Sequence, residues 1–226
     1  MASESKSFPA SLYPSEVEIR KWPHVRNLLE IALVFGLILA AIWTPQGRVN
    51  SAVSLTATLL TIALTFLSTY SSRELGLIRP LSGVALTIFL GAFLVAMIAA
   101  AGLLTRSLGP PQAVPLNRAW QYAIWALVQQ FILQSFIYVR LERVVGSRWA
   151  VLSAAFLFAL AHIPSPLLTA LSFFGALFFC EMFRRYRNIY PLGLVHAALG
   201  LTIAASLPDH LLHHMRVGIG FLTYRG

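Results

Sequence analysis

Residues Val84-Ala-Leu-Thr-Ile-Phe-Leu-Gly-Ala-Phe-Leu-Val-Ala-Met-Ile-Ala-Ala-Ala-Gly-Leu-Leu104 form an unbroken apolar run of 21 residues with no charge. An α-helix crosses the hydrocarbon core of a bilayer in about 17–25 such residues. Backbone polar groups cannot stay unpaired in lipid, so a continuous run predicts a helix, whereas a β-barrel needs short alternating strands. Six more runs are read on either side: Leu28–Thr44, Ser51–Tyr70, Ala119–Val139, Trp149–Ile163, Leu167–Phe183 and Ile189–Leu207. The fifth run in chain order, Trp149–Ile163, is short and is expected to tilt into protein or to stop before a full crossing. The expected fold is all-α, a polytopic transmembrane bundle of about seven helices.

Composition agrees. Of 226 residues, 58% are hydrophobic and only 11% charged, against about 25% charged in soluble domains. Too little charge is present to cover a water-facing surface. The net charge of +9 comes from basic residues in short segments between apolar runs, not from one basic face or arm. That placement argues for membrane topology and against a nucleic-acid partner. A single cysteine, Cys180, excludes a disulfide framework and any multi-cysteine metal site. No CaaX ending and no myristoylation glycine are present. The first 26 residues are polar, so the first run is expected to be a retained span and not a signal peptide.

Seven spans put twelve basic residues on one side, including Arg73, Arg79, Arg140, Arg143, Arg148, Arg184, Arg185 and Arg187, and five on the other. Taking a bacterial-type inner membrane, the positive-inside rule then places the N-terminus in the cytoplasm and the C-terminus outside. Residues 1–27 are expected to form a cytoplasmic tail, 28–108 the N-terminal helices, 119–207 a functional core and 208–226 a C-terminal tail. Ser15 and Glu18 have capping-box spacing ahead of Trp22, which suggests a short interfacial helix. Gly109-Pro110-Pro111-Gln112 marks a break between the two groups of spans. In the C-terminal tail, His210, His213 and His214 would share one face of an interfacial helix. Such a face could also hold a metal.

Polar residues inside lipid are costly and point to function. The fourth run contains Trp125-Ala-Leu-Val-Gln-Gln-Phe-Ile-Leu-Gln134. Gln130 and Gln134 are one helical turn apart, with Gln129 about 100° round the axis. Packing glue between helices is the bland explanation, worth about 0.6–2 kcal/mol per hydrogen bond. His162 ends the fifth run before Ile163-Pro164-Ser165-Pro166, where Pro164 should stop the helix. His196 lies inside the seventh run. No acidic residue sits at the centre of any run; Glu30 and Glu181 lie near run ends. Two histidines and three glutamines on neighbouring helices predict one shared polar site.

From Trp125 to Leu201 the sequence resembles the CPBP intramembrane protease family, also called the Abi or CAAX-protease family. That family carries a Glu-Glu-x-x-x-Arg motif, then Phe-x-x-x-His, then His-x-x-x-Asn or Asp. Phe158 and His162 match the second motif and His196 the third. The stretch from Tyr138 to Trp149 looks like the loop that follows the first motif. Gln129 and Gln130 stand in place of the glutamates, Gln134 in place of the arginine, and Gly200 in place of the asparagine or aspartate. The resemblance implies an intramembrane endopeptidase acting on a membrane-associated protein or peptide. In that case His162 and His196, with Gln129 and Gln130, are the catalytic set, and Gln134 and Phe158 line the site. The glutamine exchanges equally imply an inactive relative that binds a membrane protein or lipidated chain, because an amide cannot take a proton from water. The sequence demands no cofactor; a metal or haem on the two histidines is a third reading.

Overall fold

The computed structural model describes residues 16–78, 81–104 and 116–224, with side chains for 23–78, 81–104, 119–208 and 210–224. Its elements are α1 (Glu16–Trp43), α2 (Arg48–Phe66), α3 (Val84–Leu104), α4 (Leu116–Gln130), a π-helical segment (Phe131–Tyr138), α5 (Val139–Val145), α6 (Ser147–Leu160), α7 (Pro166–Tyr186), α8 (Tyr190–Ser206), α9 (Asp209–Leu212), a 3₁₀ turn (His213–Met215) and α10 (Ile219–Leu222). The described residues are overwhelmingly helical, as the apolar runs required. Among the described residues five stretches are long and apolar enough to cross a membrane: Pro23–Trp43, Arg48–Phe66, Val84–Leu104, Ala119–Val145 and Pro166–Tyr186. α6 and α8 are the shorter apolar helices, with 14 and 17 residues.

Side chains such as Leu29, Leu59, Phe89, Phe93, Phe156, Phe174 and Leu194 are exposed. On a water-soluble protein so broad an apolar surface would aggregate; here it is the face that lipid covers. The buried core joins Val34, Leu133, Phe136, Ala150, Ala154, Ala176, Phe183 and Leu192. Small residues set the helix approach, as expected where lipid removes any hydrophobic drive between helices. Gly91 of α3 meets Val195 of α8, and Gly102 meets Ser206. Both partners advance together, so α3 and α8 run parallel. Gly200 of α8 meets Tyr122 of α4, while Gly193 meets Leu127, so those two run antiparallel. α8 is thereby wedged between α3 and α4.

Several boundaries differ from the sequence reading. α1 is continuous from Glu16 through Pro23 into the span, so among the described residues 18–22 belong to the same helix as the span. The Ser15 cap, the Trp22 side chain and the Gly109–Gln112 break lie outside the described residues. The Tyr138–Trp149 stretch is not a loop: α5 continues the π segment to Val145, and α6 begins at Ser147. Gly146, at φ 81°, alone makes the corner, a backbone that favours glycine. Helix continues through Arg140 and Glu142 because each finds a distant ionic partner. α6 does stop before Pro164, with residues 161–164 in a turn. Ser165 then caps α7 by accepting from the Leu168 amide at 3.4 Å. The C-terminal histidines do not share a helical face. His213, His214 and Met215 have φ of 47°, 52° and 57°, which is left-handed and breaks the helix. His213 instead stacks on Phe221, with ring centroids 4.1 Å apart.

Candidate functional site

The site is built where α4, the π segment, α6, α7 and α8 meet. The π segment begins directly after Gln130. Its i→i+5 bonding widens the turn, which brings positions four and five apart close to one line, and such insertions recur at functional sites. Gln130 and Gln134 are both fully buried. The Gln134 Nε2 donates to Gln130 Oε1 at 3.2 Å. Gln130 Nε2 lies 3.1 Å from His196 Nδ1 on α8. The π segment is what the periodicity of the sequence could not show.

Aromatic rings complete the cluster. Phe158 of α6 stands edge-on to His196, with centroids 5.9 Å apart, and 4.7 Å from the ring of His162. Phe179 of α7 covers His196 from another side, at 5.2 Å. His162 Nδ1 lies 2.7 Å from the Phe158 carbonyl oxygen, one turn back, so the ring is held on its own helix end. Phe158 thus touches both imidazoles. Cys180, fully buried on α7, lies beside Gln134. The structure therefore brings together Gln130, Gln134, Phe158, His162 and His196. Gln129 is half-buried and its side chain makes no hydrogen bond to a described residue. It stays out of the hydrogen-bonded chain because it lies about 100° round the helix from Gln130.

Among the described side chains every carboxylate is engaged by arginine. Glu30 bonds Arg140 at 2.7 Å and Arg26 at 3.1 Å. Glu74 bonds Arg143 at 3.1 Å. Glu142 receives two bonds from Arg187 at 2.5 and 2.6 Å. Glu181 receives Arg184 and Arg185 at 2.8 and 2.6 Å. None of these reaches the glutamine–histidine cluster. No group of three or more His, Cys, Asp or Glu among the described residues is placed to hold a metal.

Three features were missed by the sequence reading. Arg140, counted there as a loop charge, is fully buried on α5, where it also donates to the carbonyls of Phe136 and Leu64 at 3.1 and 2.9 Å. The carboxylate of Glu30 near a run end was the available signal. Tyr122 was the second: its ring fills the space that a Cβ at Gly200 would need. The third is a polar lattice at the α5 end of the bundle. There Ser135 Oγ donates to the Leu75 carbonyl at 2.7 Å, Asn188 Nδ2 to that of Ser82 at 2.9 Å, and Tyr190 OH to that of Leu77 at 2.9 Å. These bonds tie the loop before α3 to the segment that carries the site.

Comparison with protein-family models matches residues 111–202 to a family described as type II CAAX prenyl endopeptidase Rce1-like. The matched stretch contains all six candidate site residues. No curated protein and no solved structure matches the chain.

Proposed function

We propose, on the premise that this is a CAAX-protease-like integral membrane protein, that it binds a membrane-associated polypeptide or lipidated chain in a neutral polar site without hydrolysing it. One observation carries the reading. Gln130 is committed at both ends, to Gln134 and to His196, while the described carboxylates are all paired elsewhere with arginine. Hydrolysis by this family's chemistry needs a carboxylate to take the proton of the attacking water. An amide has no such capacity, but it can orient a neighbouring imidazole that hydrogen-bonds a peptide backbone in low dielectric. Residues 119–207 form the functional core in this reading, and 28–108 brace it through α3 against α8.

A second reading keeps the endopeptidase, with His162 or His196 as base and Gln129 and Gln130 orienting water or the scissile carbonyl. It is favoured by the two imidazoles touching one phenyl ring, Phe158. A fluorescent prenylated peptide, presented with the protein in detergent micelles, separates the two. The binding reading expects saturable binding, weakened about tenfold in Gln130→Ala, equivalent to about 1.4 kcal/mol, with the peptide recovered intact. Cleavage that disappears in His162→Ala would overturn it. Restoring Gln129→Glu and Gln130→Glu beside the wild type adds a control: activity gained only on restoration marks the natural site as non-hydrolytic.

The membrane we assign is a bacterial-type inner membrane, with the N-terminus cytoplasmic. The end of the bundle carrying Arg73, Arg143, Arg148 and Arg187 then faces the cytoplasm, in keeping with the excess of basic residues there.

A further inference from the structure

We infer that Gln130 fixes His196 as a neutral imidazole with its proton on Nε2, so that the ring is a hydrogen-bond donor toward an acceptor oxygen of the ligand. The inference rests on the reading of this cluster as a binding site and says what chemistry it binds.

A primary amide donates from nitrogen and accepts at oxygen. The oxygen of Gln130 receives the Nε2 of Gln134 at 3.2 Å. Its nitrogen is therefore the end that faces His196 Nδ1 at 3.1 Å. An NH₂ group can only donate, so Nδ1 must offer a lone pair. A neutral imidazole carries one ring proton, which then sits on Nε2. The chain has a single direction, from Gln134 through Gln130 to His196, and the buried Oε1 of Gln134 is its unpartnered start. Phe158 and Phe179 pack on the ring and hold its orientation. Nε2 bonds to no described residue and is not among the sealed, unpartnered atoms. It is the free donor at the end of the chain.

A carboxylate at position 130 would do the opposite. It would accept from Nδ1–H and leave a lone pair on Nε2, the form that takes a proton. With glutamine at this position the ring is a donor at Nε2. The ligand group that suits such a ring is a carbonyl oxygen, of a peptide or an ester.

The test is nitrogen NMR on full-length protein labelled at histidine, in nanodiscs, with the His196 signals identified by their loss in His196→Asn. The expected result is a pyrrole-type shift at Nε2 and a pyridine-type shift at Nδ1. Gln130→Glu should exchange the two shifts. Gln130→Met, which keeps the volume and adds no buried charge, should collapse them toward averaged values, and it carries the comparison if the glutamate variant does not fold. A wild-type proton on Nδ1, averaged wild-type shifts, or an unchanged tautomer in Gln130→Met overturns the inference. The measurement is made on the free protein. Failure here leaves peptide binding standing, and failure of peptide binding leaves the tautomer standing.

Discussion

Arg140 Nε lies 2.7 Å from the Glu30 carboxylate, joining the middle of α1 to α5 110 residues later in the chain. The guanidinium is fully buried and is closed over by the Phe136 ring at 3.8 Å. Its remaining donors reach two backbone carbonyls, so the charge is both paired and hydrogen-bonded. A buried charge persists only on those terms.

Breaking that pair should be among the costliest single changes in the protein. Glu30→Ala should destabilise by about 3–5 kcal/mol, because it leaves the fully buried Arg140 charge uncompensated; Arg140→Ala should cost less, because Glu30 keeps Arg26 at 3.1 Å. Replacing both with leucine and methionine should recover most of the loss. Thermal unfolding in micelles, followed for the two single variants and the double variant, checks both statements.

Restoring the asparagine of the resembled motif should fail sterically. Any side chain at Gly200 meets the ring of Tyr122. Gly200→Asn should therefore lower stability by about 1–3 kcal/mol, the range for overpacking, and Tyr122→Ala should relieve it. A double-variant stability cycle reads the coupling, which must be absent if the ring is not the obstacle.

Gln130→Ala should lose stability as well as ligand. It strands the amide of Gln134 and one ring nitrogen of His196 in a buried site, at about 1–3 kcal/mol. Gln129→Ala, outside the hydrogen-bonded chain, should cost less than Gln130→Ala. Melting temperatures of the two side by side decide this.

Glu74 sets a pH dependence in the loop between α2 and α3. Partial burial raises its pKa, but the amide and hydroxyl of Ser71 and the guanidinium of Arg143 outweigh that and hold the carboxyl below the usual glutamate range. A folded pKa below the unfolded one gives stability that is present above the ordinary glutamate pKa. That stability is lost as pH falls through the folded value. Amide protection factors in residues 71–77, corrected for the intrinsic exchange rate at each pH, should therefore fall on acidification, and Glu74→Gln should flatten the dependence.

The assigned topology is open to labelling. Cys180 is buried, so a single added cysteine reports alone. Arg73→Cys should react only after the membrane is opened, and Thr223→Cys should react in intact cells. The reverse pattern rejects the cytoplasmic N-terminus.

Where the sequence misled, the cause was charge. Residues 138–149 read as a loop because Arg140, Glu142, Arg143 and Arg148 interrupt the apolar pattern. In the folded chain Glu142 meets Arg187 and Arg140 meets Glu30, and the helix runs on to Val145. The positive φ at three consecutive C-terminal residues was likewise invisible, since neither histidine nor methionine announces a left-handed turn. Helix number was legible for the opposite reason. Each apolar run must satisfy its backbone within itself in lipid, a constraint local to the run.

Sequence alone determined that this is a helical membrane protein, and which amides and imidazoles stand where lipid would not tolerate them unpaired. Both follow from the solvation cost of polar groups in hydrocarbon, which depends on residue type and run length and needs no coordinates. Only the tertiary structure decided that Gln130 and not Gln129 bonds His196, that Tyr122 takes the space beside Gly200, and that Arg140 turns inward to Glu30. Those are distances between segments remote in the chain. They are set by the π turn after Gln130 and by the packing of α8 between α3 and α4.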